Sequence, residues 1–423
     1  MADIKAVLRP ELSAEEWYAK GFSSRPHPQS LLPMQQIDAD SAWPSLDDVP
    51  RVDAVDNDGR ELLSIRQFVE KFERPRRAVL LRGLARGWPA TVGTTGAGKC
   101  DAGKAGQQAG ETARSWTPRR LSARLGSCEM RLGPSTDPEV QDLCYCELRE
   151  YLNYALGSTL GCCKMDDGGD GGCDHDSSGT HTETPTSATL DDAPLYLGDS
   201  LFGEFGALGA PAAALLRDYT VPMLFNEDLL ALAASESSEV DCCDPYALAA
   251  ARPPFRYILI GPARSGGGLH QDPMWTHAWN CLVSGGPKRW LMFPPTATEP
   301  PGTDEVMAID WFERHYSTLR QNPPLGMIEF LQHAGETVFI PAGWWHVVLN
   351  VDTAVAITHN YVATSNFDEA FAAGLREEDP QMINRWHRQL RRVRPDLAER
   401  ADALVGSWRE QERRRGCPCH DKD

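Results

Sequence analysis

The chain has no uninterrupted apolar run approaching the ~20 residues that a membrane-spanning helix requires, so no such span is expected. Its opening, Met-Ala-Asp-Ile-Lys-Ala-Val-Leu-Arg-Pro, also lacks the long apolar stretch of a secretory leader. Positive charge is scarce, with 42 Lys and Arg against 60 Asp and Glu. The net of −18 argues against a surface that binds nucleic acid as a whole, though a local basic patch remains compatible with it. Cysteine occurs twelve times but in no framework. Cys128, Cys144, Cys146 and Cys281 lie in patterned segments, whereas Cys100, Cys162, Cys163, Cys173, Cys417 and Cys419 lie in low-complexity or terminal ones. Reduced thiols in a cytoplasmic or nuclear protein follow, with the nucleus favoured. What the chain does have is 423 residues with 41% hydrophobic content, enough for a sizeable core and two or three domains.

Residues 1–60 read as a polar, Pro-rich segment with one short cap signal at Ser13-Ala-Glu-Glu16. N-terminal α/β elements are expected over 61–156. They begin with a second cap at Ser64-Ile-Arg-Gln67, a helix carrying Phe68, Val69 and Phe72, a stop at Arg74-Pro75 and a strand at Ala78–Leu81. Helices are also expected from Thr117 and over Leu148–Leu156, with short strands near 128–132 and 143–146 between them. Within 93–113, Gly93-Thr-Thr-Gly-Ala-Gly-Lys99 has the spacing of a phosphate-binding loop. Cys100 stands where Ser or Thr is needed, however, and no apolar-periodic helix follows, so a flexible Gly-rich loop is the better reading. Residues 157–192 carry eight acids against one Lys and fit neither an EF-hand nor a zinc pattern. They read as a disordered acidic insertion.

From 193 to 366, β-rich runs recur at 255–260, 279–283, 289–293, 337–340, 346–351 and 354–362, separated by Gly and Pro turns. That pattern predicts a mainly β fold with a double-sheet jelly-roll core. Residues 367–423 read as three helices and a basic tail. Their apolar residues are expected to pack on the core or on a second copy of the chain, a homodimer. Between Arg385 and Arg415 ten Arg stand against five acids, which suits a solvated helical face first and a weak nucleic-acid contact second.

The chemistry concentrates in Gly261–Trp290, which contains His270-Gln-Asp272. On a strand, residues two apart share a face, so an imidazole and a carboxylate would stand side by side. A second His on a neighbouring strand is offered by Gly343-Trp-Trp-His346. Two His and one carboxylate on one face form the facial triad of non-haem Fe(II) oxygenases. His-x-Asp alone is common, and a lone strand His is more often a satisfied core residue. The surrounding motifs change that balance: Arg252-Pro-Pro-Phe-Arg-Tyr, Gly261-Pro-Ala-Arg-Ser-Gly, His270-x-Asp272-Pro, Ala278-Trp-Asn, Lys288-Arg-Trp, Gly343-Trp-Trp-His346-Val-Val-Leu-Asn and Ala356-Ile-Thr358. In this set and order the chain resembles the jumonji-C family of 2-oxoglutarate-dependent oxygenases, and within it the bifunctional arginine demethylases and lysyl-hydroxylases.

The resemblance implies a double-stranded β-helix of the cupin type, with Fe(II) on His270, Asp272 and His346. It also implies 2-oxoglutarate held by Lys288, Tyr196, Thr358 and Asn280. Without the family, Asn280 and Thr358 would pass as ordinary strand residues. One residue is inserted before the lysine, in Ser284-Gly-Gly-Pro-Lys288, which a hairpin loop can absorb. His277, His333 and His359 lack the matching positions, and Trp345 is expected beside the distal ligand or in the substrate cleft. The implied substrates are Lys/Arg-rich proteins such as histone tails or splicing factors, with lysyl hydroxylation favoured over arginine demethylation. Two other readings stay open. One is a non-catalytic cupin-type binding protein, which would lack a ligand or the lysine. The other is an oxygenase acting on a different protein or on RNA.

Overall fold

A computed structural model describes residues 49–91, 112–133, 144–157, 194–200, 202, 214–234, 252–296, 299–303 and 307–415. The expectations for residues 1–48, for most of the Gly-rich loop, for nearly all of the acidic insertion and for the Cys-rich tail fall outside them. Strands β1 (Arg51–Asp53), β2 (Val79–Arg82), β3 (Glu129–Gly133), β4 (Cys144–Glu147) and β5 (Tyr196–Asp199) come from the N-terminal half. The jelly-roll strands are β6 (Arg256–Gly261), β7 (Gly266–His270), β8 (His277–Gly285), β9 (Lys288–Phe293), β10 (Ile328–Gln332), β11 (Glu336–Ile340), β12 (Trp345–Asn350) and β13 (Ala354–Tyr361). A nine-stranded sheet runs β1-β2-β11-β8-β13-β6-β5-β3-β4, and a four-stranded sheet runs β10-β9-β12-β7. Every pairing is antiparallel except β1 with β2.

The two sheets face each other. Leu80, Ala278, Val338 and Ile340 of the large sheet pack against Trp290, Met292, Phe330 and Val348 of the small one. Alternation along each strand then fixes an outer face. Trp279, Cys281, Ile258, Ile260, Val355 and Ile357 turn away from the small sheet into a large aromatic-rich core under the N-terminal helices. Those helices, Pro118–Leu125 and Leu148–Gly157, carry Leu121, Leu125, Tyr151 and Leu152 into that core. The cap at Ser64 is a full capping box with Gln67, and the helix widens into a π turn over Val69–Glu73 that buries Phe72 and Glu73. Asp218, fully buried, receives Arg114 Nε at 2.6 Å, Arg124 Nη2 at 2.8 Å and Trp116 Nε1 at 3.0 Å. It staples the loop at Arg114–Trp116 and the helix Pro118–Leu125 to the segment that follows Ala214–Arg217.

On the outside of the small sheet, a helical stretch that periodicity did not reveal, Ala308–Gln321, buries Ile309, Trp311, Phe312 and Leu319 against Leu291, Phe293, Val347 and Leu349. The C-terminal helices Phe367–Glu377, Pro380–Val393 and Pro395–Arg415 bury Phe367, Phe371, Trp386 and Leu397 with Leu229, Leu230, Met274 and Val362 of the same chain. Of the basic residues there, Arg391, Arg394, Arg400 and Arg414 are taken by Asp402, Glu227 with Asp396, Asp368 and Glu410. Much of the local positive charge is therefore neutralised internally. No described helix is long and apolar enough to cross a membrane. Cys128, Cys146 and Cys281 are buried free thiols.

Candidate active site

His270 ends β7 and stands directly opposite His346 on β12, their ring centroids 4.2 Å apart. Strand pairing alone would not produce this. The register shifts between His346 and Val348: His346 pairs with His270 but Val348 with Gly267, so β7 carries one extra residue. This β-bulge falls between Gly267 and His270 and brings His270, rather than the outward Leu269, opposite His346. Just before it glycine is required at position 266, where a Cβ would lie 1.9 Å from the Val348 carbonyl oxygen.

Asp272 differs from the sequence expectation. The strand stops at His270, and Asp272 is the cap of a short 3-10 turn, Pro273–Trp275, with φ −63° and ψ 139°. Its backbone is still extended, so it comes to the face of His270 although the strand ladder has already ended. One ligand atom from each of His270, Asp272 and His346 lies within 4.8 Å of the others.

The local chemistry suits a divalent cation. His270 Nδ1 lies 2.8 Å from Gly268 O, and His346 Nδ1 lies 3.2 Å from Trp344 O. A carbonyl can only accept, so each Nδ1 carries the proton and each Nε2 presents a lone pair, the orientation that metal-binding imidazoles adopt. Burial, with His270 beside it, lowers the His346 pKa to about 4, which keeps the ring neutral. Asp272 Oδ2 is buried without a hydrogen-bond partner, an arrangement that is costly unless a cation completes it. Trp290 stacks on His346 at 6.0 Å, and its Nε1 donates to Gln332 Oε1 at 2.9 Å. Gln332 Nε2 in turn donates to Asn280 O at 2.9 Å across the sheet interface. The sequence quoted Trp290 and Asn280 as motif residues but gave no sign of this relay, which joins three strands.

Farther along the same inner face, Tyr196, Leu259, Leu282, Ala354 and Ala356 form a small buried cluster. Lys288 starts β9 and reaches it, its Nζ 3.4 Å from Tyr196 OH. The preceding hairpin turns through Gly285 and Gly286 at positive φ, and Lys288 stays in register opposite Asn350 and Gln332. Burial pushes the Lys288 ammonium down to about 7 and raises the Tyr196 phenol. Asn280 and Thr358 are direct cross-strand partners, and Thr358 donates to Trp279 O at 2.9 Å, leaving its oxygen free to accept. Asn350 is a further polar residue on this face that sequence reasoning passed over. Its Nδ2 donates to Ser265 Oγ at 2.9 Å, while its Oδ1 is buried without a partner.

The excluded histidines lie elsewhere. His277 accepts from Ala342 N at 2.9 Å through Nδ1, so its Nε2 donates to Ser365 Oγ, which donates to buried Glu73. Its pKa is held at about 3 by burial, so it is a neutral structural ring. His359 stacks on Trp279 at 4.6 Å on the outer face, and His333 is exposed. Trp345 corrects the sequence expectation. It pairs with Phe293 and packs on the outer cluster with Leu269, because it precedes His346 by one residue and so takes the opposite face. Trp344 instead packs between the sheets, with Nε1 donating to Arg76 O at 3.1 Å.

Residues 257–361 match the family model described as JmjC domain, hydroxylase. Over 404 residues the chain is 29% identical to the "Bifunctional arginine demethylase and lysyl-hydroxylase psr-1" of Caenorhabditis briggsae, covering 93% of this chain and 78% of that protein. It is 29% identical over 335 residues to the "Arginine-specific demethylase JMJ22" of Arabidopsis thaliana, covering 77% of this chain and 48% of that one. A shorter match, 33% over 152 residues, is to the human "2-oxoglutarate and iron-dependent oxygenase JMJD4", covering 34% and 32% of the two chains.

Proposed function

We propose that this chain, which carries a JmjC domain, is an Fe(II)- and 2-oxoglutarate-dependent oxygenase that hydroxylates lysine side chains of Lys/Arg-rich proteins. The observation that carries the reading is one continuous inner face with two kinds of site. At one end are two imidazoles with free Nε2 atoms and an orphaned carboxylate oxygen, and at the other a buried lysine whose hydrogen-bond partner among the described residues is a phenol. A binding protein without catalysis would have no need of both.

Bound together, Fe(II) and 2-oxoglutarate supply oxidation of a substrate C–H bond by dioxygen, with succinate and carbon dioxide as co-products. The chain's own residues do the rest. His270, Asp272 and His346 would hold the metal through two imidazoles and a carboxylate, a donor set suited to Fe(II). Lys288, Tyr196 and Thr358 give the distal carboxylate of the cosubstrate a charged partner and two hydroxyls in a site closed to water, where such contacts are strongest. Trp290 keeps the His346 ring from turning. Asn280 stands opposite Thr358 and lines the same face.

Lysyl hydroxylation is the first reaction, since it requires no methyl group to be recognised. N-methyl-arginine demethylation is the second, supported by the match of 77% of the chain to a relative named for arginine demethylation. A net charge of −18 favours basic partners such as histone tails or splicing-factor repeats, and with them a nuclear location. The test is purified protein with Fe(II), 2-oxoglutarate and paired unmethylated and methylated Lys/Arg-rich peptides, followed by mass spectrometry. A gain of one oxygen on Lys supports the assignment. Formaldehyde from methyl-arginine with no oxygen gained on Lys reverses the order of the two reactions.

A further inference from the structure

The three metal-facing side chains are not held alike. Each imidazole is fixed by its own Nδ1 hydrogen bond, whereas no hydrogen bond or ion pair from the described residues fixes the Asp272 carboxylate. Its place is set by the backbone of the turn that follows, and that turn is unusual. Met274 and Trp275 have φ of 52° and 49°, left-handed conformations that non-glycine residues keep only when their surroundings enforce them.

The C-terminal helices provide that enforcement. The Met274 side chain is buried among Phe367, Ala370 and Phe371. Opposite it is Gly374, where a Cβ would stand 3.0 Å from Met274 Cε. Asn366, at the head of the first C-terminal helix, donates Nδ2 to Trp275 O at 2.8 Å and accepts Ala363 N through Oδ1 at 2.8 Å. Asn360 donates to Thr276 Oγ1 at 3.0 Å, and that hydroxyl closes the turn on Pro273 O at 2.8 Å.

We propose that Asn366 and Met274 are positioning residues for Asp272, through which the first C-terminal helix, Phe367–Glu377, sets the strength of the metal site. The proposal rests on the oxygenase reading, and Co(II) binding by the full chain tests the two separately. Asn366→Asp keeps the shape and the acceptor for Ala363 N but sets a carboxylate against the Trp275 carbonyl. Met274→Ala removes the anchor. Leu397→Ala is the control: it is fully buried in the same helical layer, on the last helix.

Both test variants are expected to bind Co(II) roughly 10–100-fold more weakly, as loss of a ligand-orienting contact does. Their Co(II) absorption spectra should change as well, because the ligand geometry changes. Leu397→Ala is expected to lower the unfolding midpoint while keeping wild-type affinity and spectrum. Wild-type Co(II) affinity in Asn366→Asp overturns the proposal, as does an equal loss in Leu397→Ala. Should Asn366→Asp fail to fold, Met274→Ala decides by the same criterion. A wild-type chain that takes up no Co(II) removes the oxygenase reading itself, and the proposal with it.

Discussion

Lys288 is the residue whose energetics respond most to an anion bound beside it. Its pKa is brought from 10.5 to about 7 by burial alone. Between those values the unfolded chain holds a proton that the folded one lacks, so the empty protein loses stability as pH falls from the upper value toward the lower. An anion bound beside Lys288 reverses the balance by favouring the ammonium. Binding of 2-oxoglutarate in that window is therefore expected to take up close to one proton, read by calorimetry in buffers of different ionisation enthalpy. Lys288→Ala should abolish the uptake and raise the KM for 2-oxoglutarate at least about a hundredfold, since stranding one partner of a buried charge pair costs roughly 3–5 kcal/mol. Arg289 will not substitute, because it faces the other way and is engaged by Tyr316 and Glu329. His346→Ala should lose metal and succinate formation together while circular dichroism stays native. Undiminished succinate would remove His346 from the site. Residue type, spacing and motif order were enough to single out His270, His346 and Lys288. The Trp290 stack and the Asn366 bond were invisible, because they join residues far apart in sequence whose types are ordinary in a core.

At the scale of elements, the strands from β8 onward were legible wherever alternation was clean, and β9, β11, β12 and β13 fall within a residue or two of their expected bounds. Three features were not. The β7 bulge leaves no mark in an alternation pattern, since three glycines have no side chains to alternate. The helical stretch Ala308–Gln321 is broken by a π turn, which blurs its period. Asp272 was placed on a strand whose ladder ends two residues earlier, although its backbone is still extended. The loop-to-helix brace around Asp218 was equally silent, as its three partners come from 94–104 residues away. Asp218→Ala should cost about 3 kcal/mol, near the lower bound for breaking a buried pair because Arg114 is half exposed. A fall in the urea midpoint with an unchanged KM for 2-oxoglutarate would show that the brace serves stability alone.

For the whole molecule, charge is the property read most directly from composition. With the basic segments proposed as substrates, kcat/KM for a Lys/Arg-rich peptide should fall steeply as salt rises, while a neutral peptide carrying the same target lysine changes little. Equal salt dependence for the two would place recognition in local contacts instead. The paired imidazoles have a consequence of another kind. They face each other only because a single extra residue in β7 brings His270, and not Leu269, opposite His346. A chain that closes its small sheet without the bulge is misassembled by one step, with one imidazole on the wrong side and no way to chelate. Metal uptake then acts as an inspection of assembly: in a freshly refolded population, the fraction that captures Co(II) should equal the fraction whose last strands have closed in the native alignment.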